Sequence, residues 1–213
     1  MGNTESPMNG RDLTLSLVGA LAVGAALGRR GSRATDPTST PAFRRWFGES
    51  KVVDGAGRPL VVYHGTGKAF DAFDPAKRGS ELRDGGPFDA RSKLAFWFTS
   101  DRETARSYAE AAETLADGRV VEAWVRMTNP LVVKAPAHGD GGYIPDRADA
   151  ILRRAIRSGH DGVIFRDVYD GLGDSPRSDV YAVFTPEQIK SATGNRGTFD
   201  PTDPRISFNR GVR

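Results

Sequence analysis

Cysteine is absent from this chain of 213 residues, which excludes disulfide frameworks, thiolate metal sites and cysteine nucleophiles. Histidine is scarce. His64, His138 and His160 are the only three, and no two stand at metal-ligand spacing, which argues against a histidine-based metal site. The chain also lacks a P-loop, a dinucleotide-binding glycine fingerprint, an HExxH pair and a GxSxG elbow. Neither sign of charge dominates: 30 basic against 27 acidic residues leaves +3, a weak bias toward nucleic acid or acidic partners. What is present is 38% hydrophobic content, enough at this length for one good core and too little for two comfortable domains. The 25 glycines and 13 prolines imply many turns, hence a β-rich architecture with a few helices.

Two parts are expected, residues 1–40 and 41–213. Leu13 to Gly28 is apolar or small throughout, bounded by Arg11 and Arg29-Arg30. It is shorter than the roughly 20 residues of a usual bilayer span. Ser16, Ala20, Gly24 and Gly28 recur every fourth residue, which suits close helix packing. Two readings stay open: a membrane anchor or export segment, or a helix that docks on a partner or self-associates. Gly31 to Thr40 has the composition of a flexible linker.

The folded part opens with a short helix, capped by Thr40, with Pro41 in its first turn and Gly48 closing it. Its Phe43, Trp46 and Phe47 form an apolar stripe that reads as core. Lys51–Val53 and Arg58–His64 flank a turn at Asp54–Gly57, predicting a hairpin that leads into the strand Leu60–Thr66. That strand delivers His64 to its end, followed by Gly65, where a ligand can approach the backbone, and Thr66, which offers a hydroxyl. A satisfied core histidine has the same signature. Gly67 to Lys93 is long for a connection and reads as a lid or binding loop anchored by Phe70 and Phe73.

A strand is expected at Leu94–Thr99, then a helix with a Ser100/Glu103 capping box, with Ala105, Tyr108, Ala109, Ala112 and Leu115 inward and a stop at Gly118. Further strands are expected at Val120–Met127, Gly162–Phe165 and Tyr181–Phe184. Asp146–Ser158 reads as a helix with Ile151, Leu152, Ala155 and Ile156 inward. Asp167, Asp170 and Asp174 in the loop 166–178 do not match calcium-loop spacing, so a solvated turn is the better reading. Ile189–Arg213 reads as a polar tail wrapping the surface.

Six blocks in order, FRRWFGESKVVD, GRPLVVYHGTG, FWFTSDRETARSYA, MTNPLVV, HDGVIF and YAVFTPEQIKSATGNRGTFDP, carry a resemblance. The chain from Phe43 onward resembles the ADP-ribosyltransferase superfamily in its histidine–tyrosine–glutamate branch, and more closely the transferase domains of phage polyvalent proteins. The resemblance implies an α+β fold with a split, twisted β core of two packed sheets and flanking helices, holding NAD as substrate in a cleft without a metal. It implies a phage- or prophage-encoded protein acting in the bacterial cell, with a protein as the acceptor. It assigns His64 to the adenosine-side ribose and the Gly65 backbone to the nicotinamide amide, with Thr66 alongside. Trp97 stands where the family has a tyrosine and keeps a stacking face. Thr104 and Tyr108 match, one residue out of step, a hydroxyl that bonds the carboxamide and a second ring.

Breaking the nicotinamide–ribose bond passes through an oxocarbenium-like state, so the protein mainly positions NAD and stabilises positive charge. The family's glutamate opens the strand matching Tyr181–Phe184. Here Val180 falls at its place, with Asp179 just before. On a regular strand that slip aims Asp179 away from the cleft, unless a bulge turns it back. The sequence therefore points to His64 and Asp179 as the catalytic pair of an NAD-dependent transferase. The alternative is a lapsed domain that binds NAD or a partner and is tethered through residues 13–28. Nucleic-acid binding through Arg29, Arg30, Arg33, Arg44 and Arg45 ranks below both.

Overall fold

A computed structural model describes residues 36–78, 93–111, 118–134, 148–170, 176–195 and 198–207. The apolar segment 13–28, the first half of the linker, Arg29, Arg30, Arg33, Ala112, Leu115, Asp174 and His138 lie outside the described residues.

Thr40 caps α1 (Pro41–Phe47) by accepting from the Phe43 N–H, and Gly48 ends it with φ +53°. The aromatic stripe is core, as the sequence predicts: Phe43, Trp46 and Phe47 pack on Trp124 and Phe199. Val53 and Pro59 bridge across the Asp54–Gly57 turn, and the Leu60 N–H donates to the Val52 carbonyl. The hairpin leads into β1 (Val62–Thr66), shorter than expected at its start.

The other strands are β2 (Phe96–Thr99), β3 (Arg119–Val125), β4 (Leu131–Lys134), β5 (Gly162–Val168), β6 (Ser178–Val183) and β7 (Ile189–Ser191). The remaining α-helices among the described residues are α2 (Arg102–Ala111) and α3 (Ala148–Arg157). The described strands form one hydrogen-bonded order, β4-β5-β6-β2-β1-β3-β7, in which β4 and β5 run parallel and the other neighbours antiparallel, so two packed sheets are not distinguished. The split survives as a seam. Tyr63↔Thr99 is the single pair joining β1 to β2, whereas β1 and β3 share five pairs and β2 and β6 share four.

Strand alternation gives each face its own cover. Val61, Tyr63, Gly65, Trp97, Trp124, Val163, Phe165, Val180 and Ala182 share the helix side, where Leu152 and Ala155 of α3 and the aromatics of α1 pack. Val62, His64, Phe96, Phe98, Ala123, Ile164, Tyr181 and Val183 share the other side. There the cover is Phe70 and Phe73 from the segment after β1, with Ile206 from the C-terminal segment.

Several expectations need correction. The α2 cap is Asp101, whose carboxylate accepts from the Thr104 N–H at 2.7 Å; Ser100 instead faces β6. Ile156 is 47% exposed, because α3 meets the sheet through Ala148, Leu152 and Ala155. β4 was not foreseen, since four residues carry no readable period. Nor does β5 stop at Phe165: it continues through a bulge to Val168, and β6 begins at Ser178 rather than Tyr181.

The C-terminal segment is not a polar wrapping. Phe199 and Ile206 are buried, and the buried ammonium of Lys190 donates to the Asp203 and Arg205 carbonyls. Ile206 then joins β7 to the cover over His64: its carbonyl accepts from the Ser191 N–H, and its N–H donates to the Asp71 carbonyl.

Candidate active site

At the seam, the one backbone pair leaves room for a side chain to complete the join. His64 Nδ1 lies 2.8 Å from the Trp97 carbonyl. A carbonyl only accepts, so Nδ1 carries the hydrogen, and in the neutral ring Nε2 is the acceptor. Phe73 and Phe98 hold the imidazole edge-on and tilted, with centroids at 5.0 and 5.5 Å. His64 is half-buried with its Nδ1 satisfied, as the reading of a satisfied histidine expects, and that bond fixes its orientation.

Gly65 is glycine for a reason that the sequence did not reveal. A Cβ there would stand 1.9 Å from the Ala105 carbonyl oxygen and 2.8 Å from the Ala109 nitrogen. The close approach is made by the backbone of α2 on the helix side, so a ligand reaches Gly65 through its peptide edges. Thr66 is buried, and its hydroxyl accepts from the Lys68 N–H at 3.3 Å in a local turn.

Trp97 lies on the helix side, its ring near-parallel to Phe165 at 6.0 Å, and its buried indole Nε1 has no hydrogen-bond partner among the described residues. Thr104 is buried in the first turn of α2, where its hydroxyl donates to Asp101 at 2.8 Å. The Tyr108 hydroxyl donates to Asp170 at 3.0 Å, tying α2 to the segment after β5.

Asp179 is the residue whose direction the sequence left to a bulge. Val180 pairs with Thr99 and Phe165 and is fully buried in the helix-side core. Asp179, one residue earlier, therefore takes the face of Tyr181, Phe98 and His64. A bulge is present, but on β5. Phe165 pairs with Val180 and Val168 with Ser178, so Arg166 and Asp167 together oppose Asp179. Asp167 makes the bend with φ +54°, a conformation that Asp tolerates better than most residues. Its N–H donates to Asp179 Oδ1 at 3.0 Å, the Arg166 guanidinium pairs with Oδ2, and the Ser100 hydroxyl accepts from the Asp179 N–H.

The structure thus divides the predicted residues. His64 and Asp179 share the loop-covered face, while Gly65, Trp97, Thr104 and Tyr108 stand on the helix side. The two sets meet at the seam, through the bond from His64 to the Trp97 carbonyl. Sequence reasoning missed Arg166 and Tyr181. Arg166 looked like the first residue of a loop, and Tyr181 like any buried strand residue. Tyr181 is aligned with His64 across Phe98 and fully buried, and among the described residues its hydroxyl hydrogen finds no acceptor. Burial pushes that hydroxyl's pKa up, the Asp179 carboxylate adds to the rise, and Arg166 opposes it, so the group stays a donor.

The loop-covered face gathers an imidazole, a carboxylate with lone pairs beyond the two already engaged, and a buried phenol, groups able to hydrogen-bond a polyhydroxylated ligand. The arrangement offers no room for a ring against the helix side of Gly65.

No curated protein and no solved structure matches the chain. The model of one family does, over residues 54–199, from the hairpin turn to the buried Phe199. The chain belongs to that family, the ADP-ribosyltransferases in polyvalent proteins.

Proposed function

We propose that the protein is an NAD-dependent mono-ADP-ribosyltransferase that modifies a macromolecular acceptor, with a protein as the favoured class. The observation that carries the reading is the placement of His64 and Asp179 on one face of the sheet. Each is oriented by groups from a neighbouring strand: the Trp97 carbonyl for His64, and the β5 bulge for Asp179. Bound NAD supplies a leaving group that departs readily, so positioning and charge are what the chain must add.

His64 Nε2 accepts from a ribose hydroxyl, and the Nδ1 bond keeps the ring from turning away. Asp179 places negative charge on the same face, where positive charge develops as the nicotinamide–ribose bond breaks. The acceptor's nucleophilic atom takes nicotinamide's place on the ribose and gives up its proton. Arg166 holds the aspartate still and also offsets part of its charge, a cost to catalysis that a shorter, firmly placed acid can bear.

The test is NAD-dependent labelling of lysate proteins by the intact chain. Labelling is expected to disappear with His64→Ala and to fall at least tenfold with Asp179→Asn, while both variants stay folded. Labelling that survives His64→Ala refutes the assignment.

One observation favours a second reading. The family's acid position is Val180, sealed in an apolar cluster. A lapsed domain that binds NAD or a partner, held in place through residues 13–28, fits that valine. Measurable NAD binding with intact NAD recovered and no labelled product selects this reading.

A further inference from the structure

Tyr181 is fully buried, and its hydroxyl meets no hydrogen-bond partner at full geometry among the described residues; the nearby Arg166 guanidinium can act only on its oxygen, which leaves the hydroxyl hydrogen unmatched. A buried donor left unmatched is unfavourable in the free protein. It is therefore a feature to explain rather than to pass over. Apolar packing would be served equally by phenylalanine, since the ring already belongs to the cluster with Phe96, Phe98, Ile164 and Val183.

Two facts place the hydroxyl in the site. Tyr181 lies in register with His64, one strand away on either side of Phe98. Asp179 and Arg166 are both near enough to bias its ionisation. Their side chains are 25% and 34% exposed, so solvent or a ligand meets the ion pair before it meets the phenol.

We propose that Tyr181 is a further substrate-binding residue of this site, its hydroxyl donating a hydrogen bond to the ribose held by Asp179 once the ligand parts the Arg166–Asp179 pair. The inference rests on the NAD reading above and deepens it. On binding, the carboxylate exchanges part of its pairing with Arg166 for ribose hydroxyls, and the phenol gains the partner it lacks. No bond is made or broken in this step.

The test is Tyr181→Phe, measured for thermal stability and for NAD affinity by calorimetric titration, beside the wild type and His64→Ala. The variant is expected to melt at or above the wild-type temperature and to bind NAD about five- to tenfold more weakly, the loss of one hydrogen bond. Unchanged affinity with unchanged or raised stability overturns the inference and leaves the NAD reading intact. The phenol would then bond only to a trapped water. A lowered melting temperature also overturns it, because the hydroxyl would have a partner in the free protein. If the wild type itself binds no NAD, the NAD reading fails first, and this inference fails with it.

Discussion

Gly65→Ala is the perturbation whose size follows most directly from the fold. The added methyl would stand 1.9 Å from the Ala105 carbonyl oxygen, where real Cβ contacts essentially never fall below 3.0 Å. The obstacle is helix backbone and cannot swing aside, so β1 and α2 must part by roughly 1 Å, comparable to the steps at which packing contacts are lost. Such a shift disturbs Thr104, Ala105 and Ala109, all buried against the sheet. Overpacking costs about 1–3 kcal/mol where side chains can adjust; against backbone about 3 kcal/mol or more is expected. For a domain of this size that lowers Tm by roughly 6–12 °C. Thermal and denaturant melts followed by circular dichroism measure it. Hydrogen exchange should place the new flexibility in α2. Stability within about 0.5 kcal/mol of wild type would show that α2 does not lie on Gly65, and the division of the site into two faces would fall with it.

Asp101→Ala removes the cap of α2, including both bonds to Thr104. A loss of about 1–2 kcal/mol is expected in denaturant melts, whereas Ser100→Ala should leave the helix end intact. Val180→Glu puts a glutamate where the resemblance expects the family's acid, at a fully buried apolar position. It should cost several kcal/mol, on the order of a buried unpaired carboxyl, and gain no labelling activity; a stable, more active variant would place the cleft on the helix side. Asp203 supplies the pH dependence. Its pKa is lowered from 3.8 to about 2, chiefly by the Arg205 side chain. Because the folded value is depressed, the contribution is complete above the unfolded value and disappears as pH falls from about 3.8 to about 2. Hydrogen exchange at residues 203–206 should accelerate across that interval, and Asp203→Asn should flatten the response.

How much was legible differs from residue to residue. Thr40-Pro41 and Gly48 announced α1 because caps are local chemistry. The burial of Phe43, Trp46 and Phe47 followed from helical spacing. The motif blocks identified the family and drew attention to His64, Gly65, Trp97 and Tyr108. Ser100 misled because Asp101, one residue on, is an equally good cap, and which of them turns toward the helix depends on Asp179 in β6. The tail misled because its buried apolar residues, Ile189, Phe199 and Ile206, are sparse among polar neighbours and find their partners on distant elements.

The sequence by itself determined the family, the positions of most strands, the aromatic helix and the presence of a single histidine beside a glycine in a strand. These depend on short-range period, capping and turn chemistry. Only the tertiary structure decided which face each of those residues takes. Alternation fixes faces relative to neighbours in one strand, but the register between strands is set by pairing across the sheet. That pairing put Val180 into the helix-side core and Asp179 on the face of His64, placed the bulge on β5 rather than β6, and buried the Tyr181 hydroxyl with no acceptor for its hydrogen among the described residues.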